Sequence, residues 1–207
     1  MINKSKELLS KFTDFSVRDK NSYEIIKKLT GKEASINIDP VLLYDFDDIE
    51  IKQPQIKDYI LVYAYSGRIN AKQEISAIKA FAKKYKKKLV CVNEMQTWCD
   101  EFIYAHPFDL LSYFKYADYV VTDTFHGAVI SIKYNIPFVQ FVRESKGYSN
   151  NQKIGYLLAS FGLEDRILQK PENLEKVMLK PIAYEKVNEI LINEKTKAID
   201  YLKRVLQ

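Results

Sequence analysis

The residues best suited to chemistry lie between positions 119 and 132, where an apolar strand is followed by small polar groups, a histidine and a helix. The backbone N–H groups at the start of that helix have no partners within it, and they point toward the end of the preceding strand. Such a geometry binds anions, and phosphate above all. His126 adds a side chain that can donate to an oxyanion or move a proton near neutral pH. The stretch therefore predicts an anion site at a strand–helix junction.

The neighbouring residues leave other interpretations open. Thr122 and Thr124 offer hydroxyl groups, and Gly127 removes a Cβ where either a ligand or a strand approaches closely. Asp123 is equally suited to capping the helix. A single histidine at a helix start can also serve only as a cap or as part of an interface. Taken alone, these residues support an anion site and no particular reaction.

Four apolar strands that alternate with helical stripes must position this junction. Alternation of this kind is typical of βαβ units, so we predict an α/β fold with a Rossmann-like parallel sheet and flanking helices. Ligands of such sheets collect beyond the strand C-termini, which directs attention to the loops after residues 66, 94, 123 and 142. The predicted strands are 57–65, 88–93, 118–122 and 137–142, and the predicted helices are 71–86 with Asn70 as N-cap, 107–116, 125–135 and 150–161 closed by Gly162.

The two ends of the chain follow a different pattern. Residues 1–45 contain a helix, a short strand, a helix and a strand over 35–43, which together are too small to bury a core of their own. Residues 183–206 form an amphipathic helix that must pack on something, and the N-terminal segment is the simplest partner. We therefore predict three units: a partial α/β unit at 1–45, a Rossmann-like domain at 46–180, and a C-terminal helix at 181–207 that packs back on the N-terminal segment.

Composition excludes several classes of function. The 207 residues include 32 basic and 27 acidic side chains, but only five arginines, so the surface predicts no nucleic-acid partner. There is no Walker-type loop and no dinucleotide fingerprint. Cys91 and Cys99 are too few for a disulfide framework. No segment has the pattern of a signal peptide or a membrane span, so we expect a cytoplasmic protein, with peripheral attachment to the inner membrane face left open.

A resemblance adds to this interpretation. The segment VVTDTFHG at 120–127, followed by SIKYNIPF at 131–138, resembles the V-T-D-S-F-H-G signature of the polysaccharide pyruvyl transferase family. Further segments resemble the family in the same order, over about residues 15–168: SVRD with Ser22, DPVLL, YILVY, and the stretch from Asn150 to Arg166. Members of the family have two-domain, glycosyltransferase-B-like folds. The chain resembles the C-terminal half of such a protein with part of the N-terminal domain.

The resemblance implies an enzyme of surface-polysaccharide biosynthesis. Characterised members transfer pyruvate from phosphoenolpyruvate to two hydroxyls of one sugar, form a cyclic ketal and release phosphate. We therefore expect phosphoenolpyruvate as donor, a sugar or lipid-linked oligosaccharide as acceptor, and neither a cofactor nor a metal. Because the chain resembles only half of a member, we also expect a partner that supplies an N-terminal half, or a homodimer.

The same resemblance implies roles for single residues. His126 matches the motif histidine and is the expected catalytic residue, while Arg18 matches an arginine that can pair with the donor carboxylate or phosphate. Thr124 stands where another branch has arginine, Arg143 is a candidate replacement, and Lys153 stands where arginine is frequent, so we expect weak donor binding. The predicted binding residues are Arg18, Thr122, Asp123, Thr124, Gly127, Arg143 and Lys153.

Two other functions remain open at this stage. A sugar-nucleotide glycosyltransferase of similar fold would use the same helix terminus for a diphosphate, and fold alone does not separate the two activities. A truncated, non-catalytic module would retain the fold as a binding or assembly unit.

Overall fold

The computed structural model describes residues 2–47, 49–145, 148–149 and 151–207. Its strands are β1 Ser16–Val17, β2 Ser35–Ile36, β3 Tyr59–Tyr63, β4 Lys88–Val92, β5 Glu101–Ile103, β6 Tyr119–Thr122, β7 Phe138–Gln140, β8 Glu144–Ser145 and β9 Tyr148–Ser149. Its α-helices are α1 Ile2–Ser10, α2 Lys20–Thr30, α3 Pro40–Leu43, α4 Lys72–Lys84, α5 Pro107–Lys115, α6 Phe125–Lys133, α7 Asn151–Ser160, α8 Leu174–Leu179 and α9 Tyr184–Val205.

The central sheet is parallel, with the strand order β5-β4-β3-β6-β7. Strand β3 pairs with β4 on one side and with β6 on the other, where Tyr63 lies opposite Thr122. Its four residues from Tyr59 to Val62 are fully buried, which explains why the sequence shows a continuous apolar run and no alternation. Because successive side chains point to opposite faces, the sheet supports one core on each face.

Helix α6 begins directly at the carboxyl end of β6. Thr124 is its N-cap, since the Thr124 hydroxyl accepts a hydrogen bond from the amide of Gly127 at 2.9 Å. A Cβ on Gly127 would lie 2.0 Å from the Oγ1 atom of Thr122. The glycine therefore allows the helix to lie against the strand. The sequence left open whether a ligand or a strand approaches Gly127, and the structure shows that the strand does.

The N-terminal elements form a two-stranded parallel sheet of β1 and β2, with α2 between these strands in the chain. Helix α9 packs against α3, and its residues Val187 and Leu191 belong to the same core cluster as Leu42. Lys195 of α9 forms an ion pair with Asp45. The last helix therefore packs on α3, the last helix of the N-terminal segment. The division of the chain into units at residues 45 and 180 stays a prediction.

The structure corrects three local predictions. The strand predicted over 35–43 ends at Ile36, because Asp39 accepts from the Val41 amide at 3.0 Å and Pro40 favours the first helical position, so α3 follows. Asn70 is not the cap of α4, which begins after Ala71 without a side-chain cap. Edge strand β5 was not predicted, since three residues carry no periodic signal.

Other local predictions are confirmed. Gly162 follows α7 with a φ of +66°, the left-handed conformation expected after a helix. The first residue of the helix predicted at 150–161, Asn150, lies outside the described residues. Lys87, between α4 and β4, forms ion pairs with Asp58 and Asp118. Among the described helices, none combines the length and apolar character that crossing a bilayer requires.

Candidate functional site

A cavity of about 290 Å³ opens at the carboxyl ends of β3, β4 and β6, where ligands of parallel sheets collect. We call it the donor cavity, after the sequence-based expectation that a donor substrate binds at this strand–helix junction. The β1–α2 connection and the first turn of α7 complete its wall. The donor cavity is lined by Arg18, Tyr63, Ala64, Tyr65, Asn93, Glu94, Thr124, Phe125, His126 and Lys153.

His126 occupies the first turn of α6, with 52% of its side chain exposed. Its Nε2 atom lies 3.7 Å from the Oδ2 atom of Asp39. Within the described residues, no group accepts a hydrogen bond from the amides of Phe125 and His126. The helix terminus therefore presents two amides beside an imidazole, which is the arrangement that stabilises an anion.

Asp39 is the buried counter-charge of this site. Only 2% of its side chain is exposed, yet it forms an ion pair with Arg18 and accepts from the Val41 amide. Burial by itself would raise its pKa, but the facing imidazole of His126, the Val41 amide and the Arg18 guanidinium outweigh burial and lower the pKa to about 2. Asp39 is consequently ionised at neutral pH, and it holds in position two side chains that can donate hydrogen bonds, Arg18 and His126.

Two cationic side chains reach the donor cavity from other elements. The Arg18 guanidinium lies 4.9 Å from the centre of the Phe125 ring, within the range of a cation–π contact. Lys153 enters from the first turn of α7. On the other side Glu94 contributes a carboxylate, which accepts from the Ser66 amide at 3.1 Å. The donor cavity therefore contains charges of both signs: the cationic side chains of Arg18 and Lys153 and the carboxylate of Glu94.

The predicted residues at the strand–helix junction have mainly structural contacts. The Thr122 hydroxyl donates to the Tyr63 carbonyl at 2.6 Å and accepts from the Thr124 amide at 3.1 Å. Asp123 is fully buried and accepts from the Tyr65 amide at 3.2 Å, so it does not cap α6. Burial raises its pKa, opposed by the Tyr65 amide and by nearby arginines. Of these, Thr124 alone lines the donor cavity; Thr122, Asp123 and Gly127 support it from beneath.

Arg143 lies elsewhere. Its guanidinium forms two hydrogen bonds with the carboxylate of Glu74, at 2.7 and 3.1 Å, and its Nε atom lies 4.0 Å from Asp123. It is not among the residues that line the donor cavity. The structure therefore brings together Arg18, Thr124, His126 and Lys153, and it places Arg143 in a separate ion-pair network.

Several lining residues were not singled out in the sequence. Tyr63, Tyr65, Asn93 and Glu94 lie on or beside the two loops that the strand pattern had marked, after residues 66 and 94. Asn93 has a φ of +64°, a conformation that asparagine tolerates better than most residues. Its side chain accepts from the Ala105 amide at 2.8 Å, which fixes the turn. Among the described residues, no three His, Cys, Asp or Glu side chains are grouped as a metal site requires.

Comparison with known proteins bears on this geometry. A family model described as polysaccharide pyruvyl transferase matches residues 2–145. No curated protein matches the sequence.

Solved structures with similar folds are distant in sequence. UDP-GlcNAc 2-epimerase of Methanocaldococcus jannaschii is 11% identical with a TM-score of 0.53, and the match covers 86% of this chain and 59% of that one. A glycosyltransferase of kitacinnamycin is 13% identical with a TM-score of 0.49, covering 88% and 51%. The glycosyltransferase TibC of enterotoxigenic E. coli is 12% identical with a TM-score of 0.40, covering 84% and 52%.

The chain thus spans between half and three fifths of the length of these structures. At this level of identity the likeness concerns the fold alone. The predicted fold class, an α/β fold with a Rossmann-like parallel sheet and flanking helices, is confirmed.

Proposed function

The chain belongs to the polysaccharide pyruvyl transferase family, and from this membership we propose that it binds phosphoenolpyruvate in the donor cavity and transfers the pyruvyl group to two hydroxyls of a sugar. The product would be a cyclic ketal of a surface polysaccharide or of its lipid-linked precursor. The reaction would take place in the cytoplasm, with lipid-linked acceptors reached at the inner membrane face. A partner with an N-terminal half, or a second copy of the chain, remains part of the proposal.

The observation that carries the proposal is the convergence of Arg18, His126 and Lys153 on one cavity, beside the open amides of α6. Phosphoenolpyruvate carries a carboxylate and a phosphate on adjacent positions of a three-carbon unit. A guanidinium pairs well with either group, and helix amides favour the phosphate. Hydrogen-bond donors that are already held at these positions would also stabilise the negative charge that builds on phosphate as it leaves.

The proposed chemistry is an addition followed by a substitution at C2. A proton moves to C3 of the enol, the oxygen of the first sugar hydroxyl bonds to C2, and that hydroxyl releases its proton. The C2–O bond to phosphate then breaks, the second hydroxyl bonds to C2, and its proton leaves with phosphate. We assign delivery of the proton to C3 to His126, whose imidazole lines the donor cavity. Asp39 holds the imidazole and is a positioning residue, since it lies behind His126.

The donor cavity has about 290 Å³, just below the roughly 300–1,000 Å³ of pockets that hold drug-sized ligands. This volume accommodates a three-carbon phosphate ester.

The binding step is tested by thermal unfolding of the 207-residue protein with phosphoenolpyruvate, with phosphate and with a UDP-sugar. A ligand at about ten times its Kd adds about 1.4 kcal/mol to the stability of the folded state. For a domain of this size we expect a rise in Tm of about 3–6 °C. His126→Ala should raise the Kd about tenfold or more, because it removes a hydrogen bond to a charged group. At the same ligand concentration the rise in Tm should then fall by about two thirds or more.

The chain offers a matched control, since its other histidine, His106, does not line the donor cavity. His106→Ala should retain the full rise in Tm. If His126→Ala also retained it with an intact fold, the donor site would lie elsewhere. Stabilisation by the UDP-sugar and not by phosphoenolpyruvate would favour a glycosyltransferase. The transfer step is measured as phosphate release with a panel of nucleotide- and lipid-linked sugars, for the chain alone and with its N-terminal partner added. Absence of release with every acceptor in both cases would favour a non-catalytic module.

A further inference from the structure

A second cavity of about 280 Å³ adjoins the donor cavity and lies between the segment after β2, α7 and α9. We call it the α7 groove and define it by Ile38, Asp39, Phe125, Tyr156, Phe161 and Glu194. From its walls, its charge and its position, we propose that the α7 groove binds one neutral sugar ring.

The walls suit a ligand that is apolar on its faces and polar at its edge. Phe125, Tyr156 and Phe161 supply aromatic surface, with Ile38 beside them. The C–H groups on one face of a sugar ring pack well on aromatic rings, whose faces carry partial negative charge. At the rim, Ser160 and Glu194 offer a hydroxyl and a carboxylate for hydrogen bonds with ring hydroxyls.

The charges of the α7 groove argue against an anionic ligand. Two carboxylates, of Asp39 and Glu194, line it. The guanidinium of Arg18 also lines it, but it already forms an ion pair with Asp39. Glu194 is held by Lys197 at 2.5 Å. A phosphate would meet two like charges, whereas a neutral polyol would donate hydroxyl hydrogen bonds to carboxylates, which are strong acceptors. Neutrality is what distinguishes the occupant of the α7 groove from that of the donor cavity.

The position of the α7 groove links it to the proposed reaction. Arg18 and Phe125 line both cavities, and Asp39 of the groove contacts His126 of the donor cavity. A sugar ring in the groove would have its hydroxyls next to the donor, and this proximity accounts for a large part of the rate in two-substrate reactions. The role as acceptor site rests on the proposed function; the binding of a neutral sugar does not.

The test follows the amide signals of the ¹⁵N-labelled 207-residue protein during titration with methyl glycosides of glucose, galactose and mannose. We expect shifts at Ser160, Phe161 and Glu194 with at least one glycoside, and shifts at Asn93 and Glu94 with phosphoenolpyruvate. Ser160 is exposed on α7, so Ser160→Trp should fill the groove without disturbing the core and weaken glycoside binding about tenfold or more. Ala159→Trp, at the adjacent exposed position outside the groove, should change the affinity less than about twofold.

Each outcome decides the matter. Loss of binding in the Ser160 variant alone supports the sugar site. Any of three results overturns the sugar site: no response to any glycoside, a response confined to Asn93 and Glu94, or equal weakening of glycoside binding by both variants. Shifts of the groove signals by phosphate overturn the assignment of a neutral ligand, and shifts by hexanol without shifts by a glycoside replace the sugar with an alkyl chain. Groove shifts by a glycoside with no response to phosphoenolpyruvate support the sugar site and refute the proposed function.

Discussion

Replacing Asp39 by asparagine removes one buried charge and little else. Asparagine has nearly the same shape and is an equally good helix N-cap, so the hydrogen bond from the Val41 amide that begins α3 is retained. What disappears is the negative charge that faces Arg18 and His126. The variant therefore isolates the electrostatic contribution of this carboxylate to the stability of the site.

The pKa of Asp39 gives the magnitude. It falls from an ordinary 3.8 to about 2 in the folded protein, and at about 1.4 kcal/mol per unit this corresponds to about 2 kcal/mol. Because the folded-state pKa is the lower one, this stability is fully present above pH 3.8 and is lost as the pH falls toward 2. Arg18 and His126 are each about half exposed, and water screens their charges, so we expect a loss of about 1–2 kcal/mol at pH 7.

The assay is urea unfolding of wild type and Asp39→Asn at a series of pH values from 7 down to the lowest at which both proteins fold. The difference in unfolding free energy should shrink as the pH falls below about 4. Asp19→Asn is the matched control, because Asp19 caps α2 through the Ser22 amide at 2.8 Å and none of the described residues forms an ion pair with it. Its effect at pH 7 should be smaller than that of Asp39→Asn. A difference for Asp39→Asn that stays the same at pH 7 and pH 3 would refute the electrostatic account.

Three further outcomes follow from the contacts around the donor cavity. Gly127→Ala should destabilise the protein by about 1–3 kcal/mol and weaken donor binding. The new methyl group would lie 2.0 Å from the Thr122 hydroxyl oxygen, so α6 must move outward. Urea unfolding measures the loss of stability, and calorimetric titration measures the loss of affinity. Arg143→Ala should leave the donor Kd within about twofold and lower Tm, because it breaks the ion pair with Glu74 outside the donor cavity; a large loss of donor affinity would contradict this. Glu94→Gln should tighten phosphoenolpyruvate binding by a factor of about two to five at low salt, with a smaller gain at high salt. It removes a negative charge that repels the anionic ligand, and it keeps an oxygen that accepts from the Ser66 amide. Weaker binding would show that the carboxylate contacts the ligand.

The sheet and the strand–helix junction were predictable because their signals are local. A continuous apolar run predicts a strand buried on both faces, and β3, β4 and β6 all lie within the predicted ranges. The position of His126 at the start of a helix after β6 follows from the same local pattern. The loops after residues 66 and 94 were marked by the general rule for parallel sheets, and residues beside them line the donor cavity.

The partners of these residues were not predictable, because they depend on contacts across long stretches of chain. No local pattern shows that Asp39 faces His126, or that the Arg18 guanidinium lies over the Phe125 ring. The contact of Arg143 with Glu74 is of the same kind, since an arginine after a strand is equally suited to a ligand and to an ion pair. Helix α3 was misjudged because an apolar segment with an Asp-Pro pair fits both a broken strand and a capped helical turn.

The threonine at position 124 can be explained by what its hydroxyl does. In the other branch of the family an arginine stands there, and its absence led us to expect weak donor binding. The Thr124 hydroxyl accepts from the amide of Gly127, and an arginine has no acceptor to provide this cap. Positive charge comes instead from Arg18 and Lys153, on elements outside the strand–helix junction. Arg18 is balanced by Asp39, and Lys153 is an exposed point charge, so the donor cavity combines a firmly capped helix terminus with modest net charge. If phosphoenolpyruvate binds in the donor cavity as proposed, the amides and the imidazole of α6 must supply contacts to the donor that a guanidinium at position 124 would otherwise make.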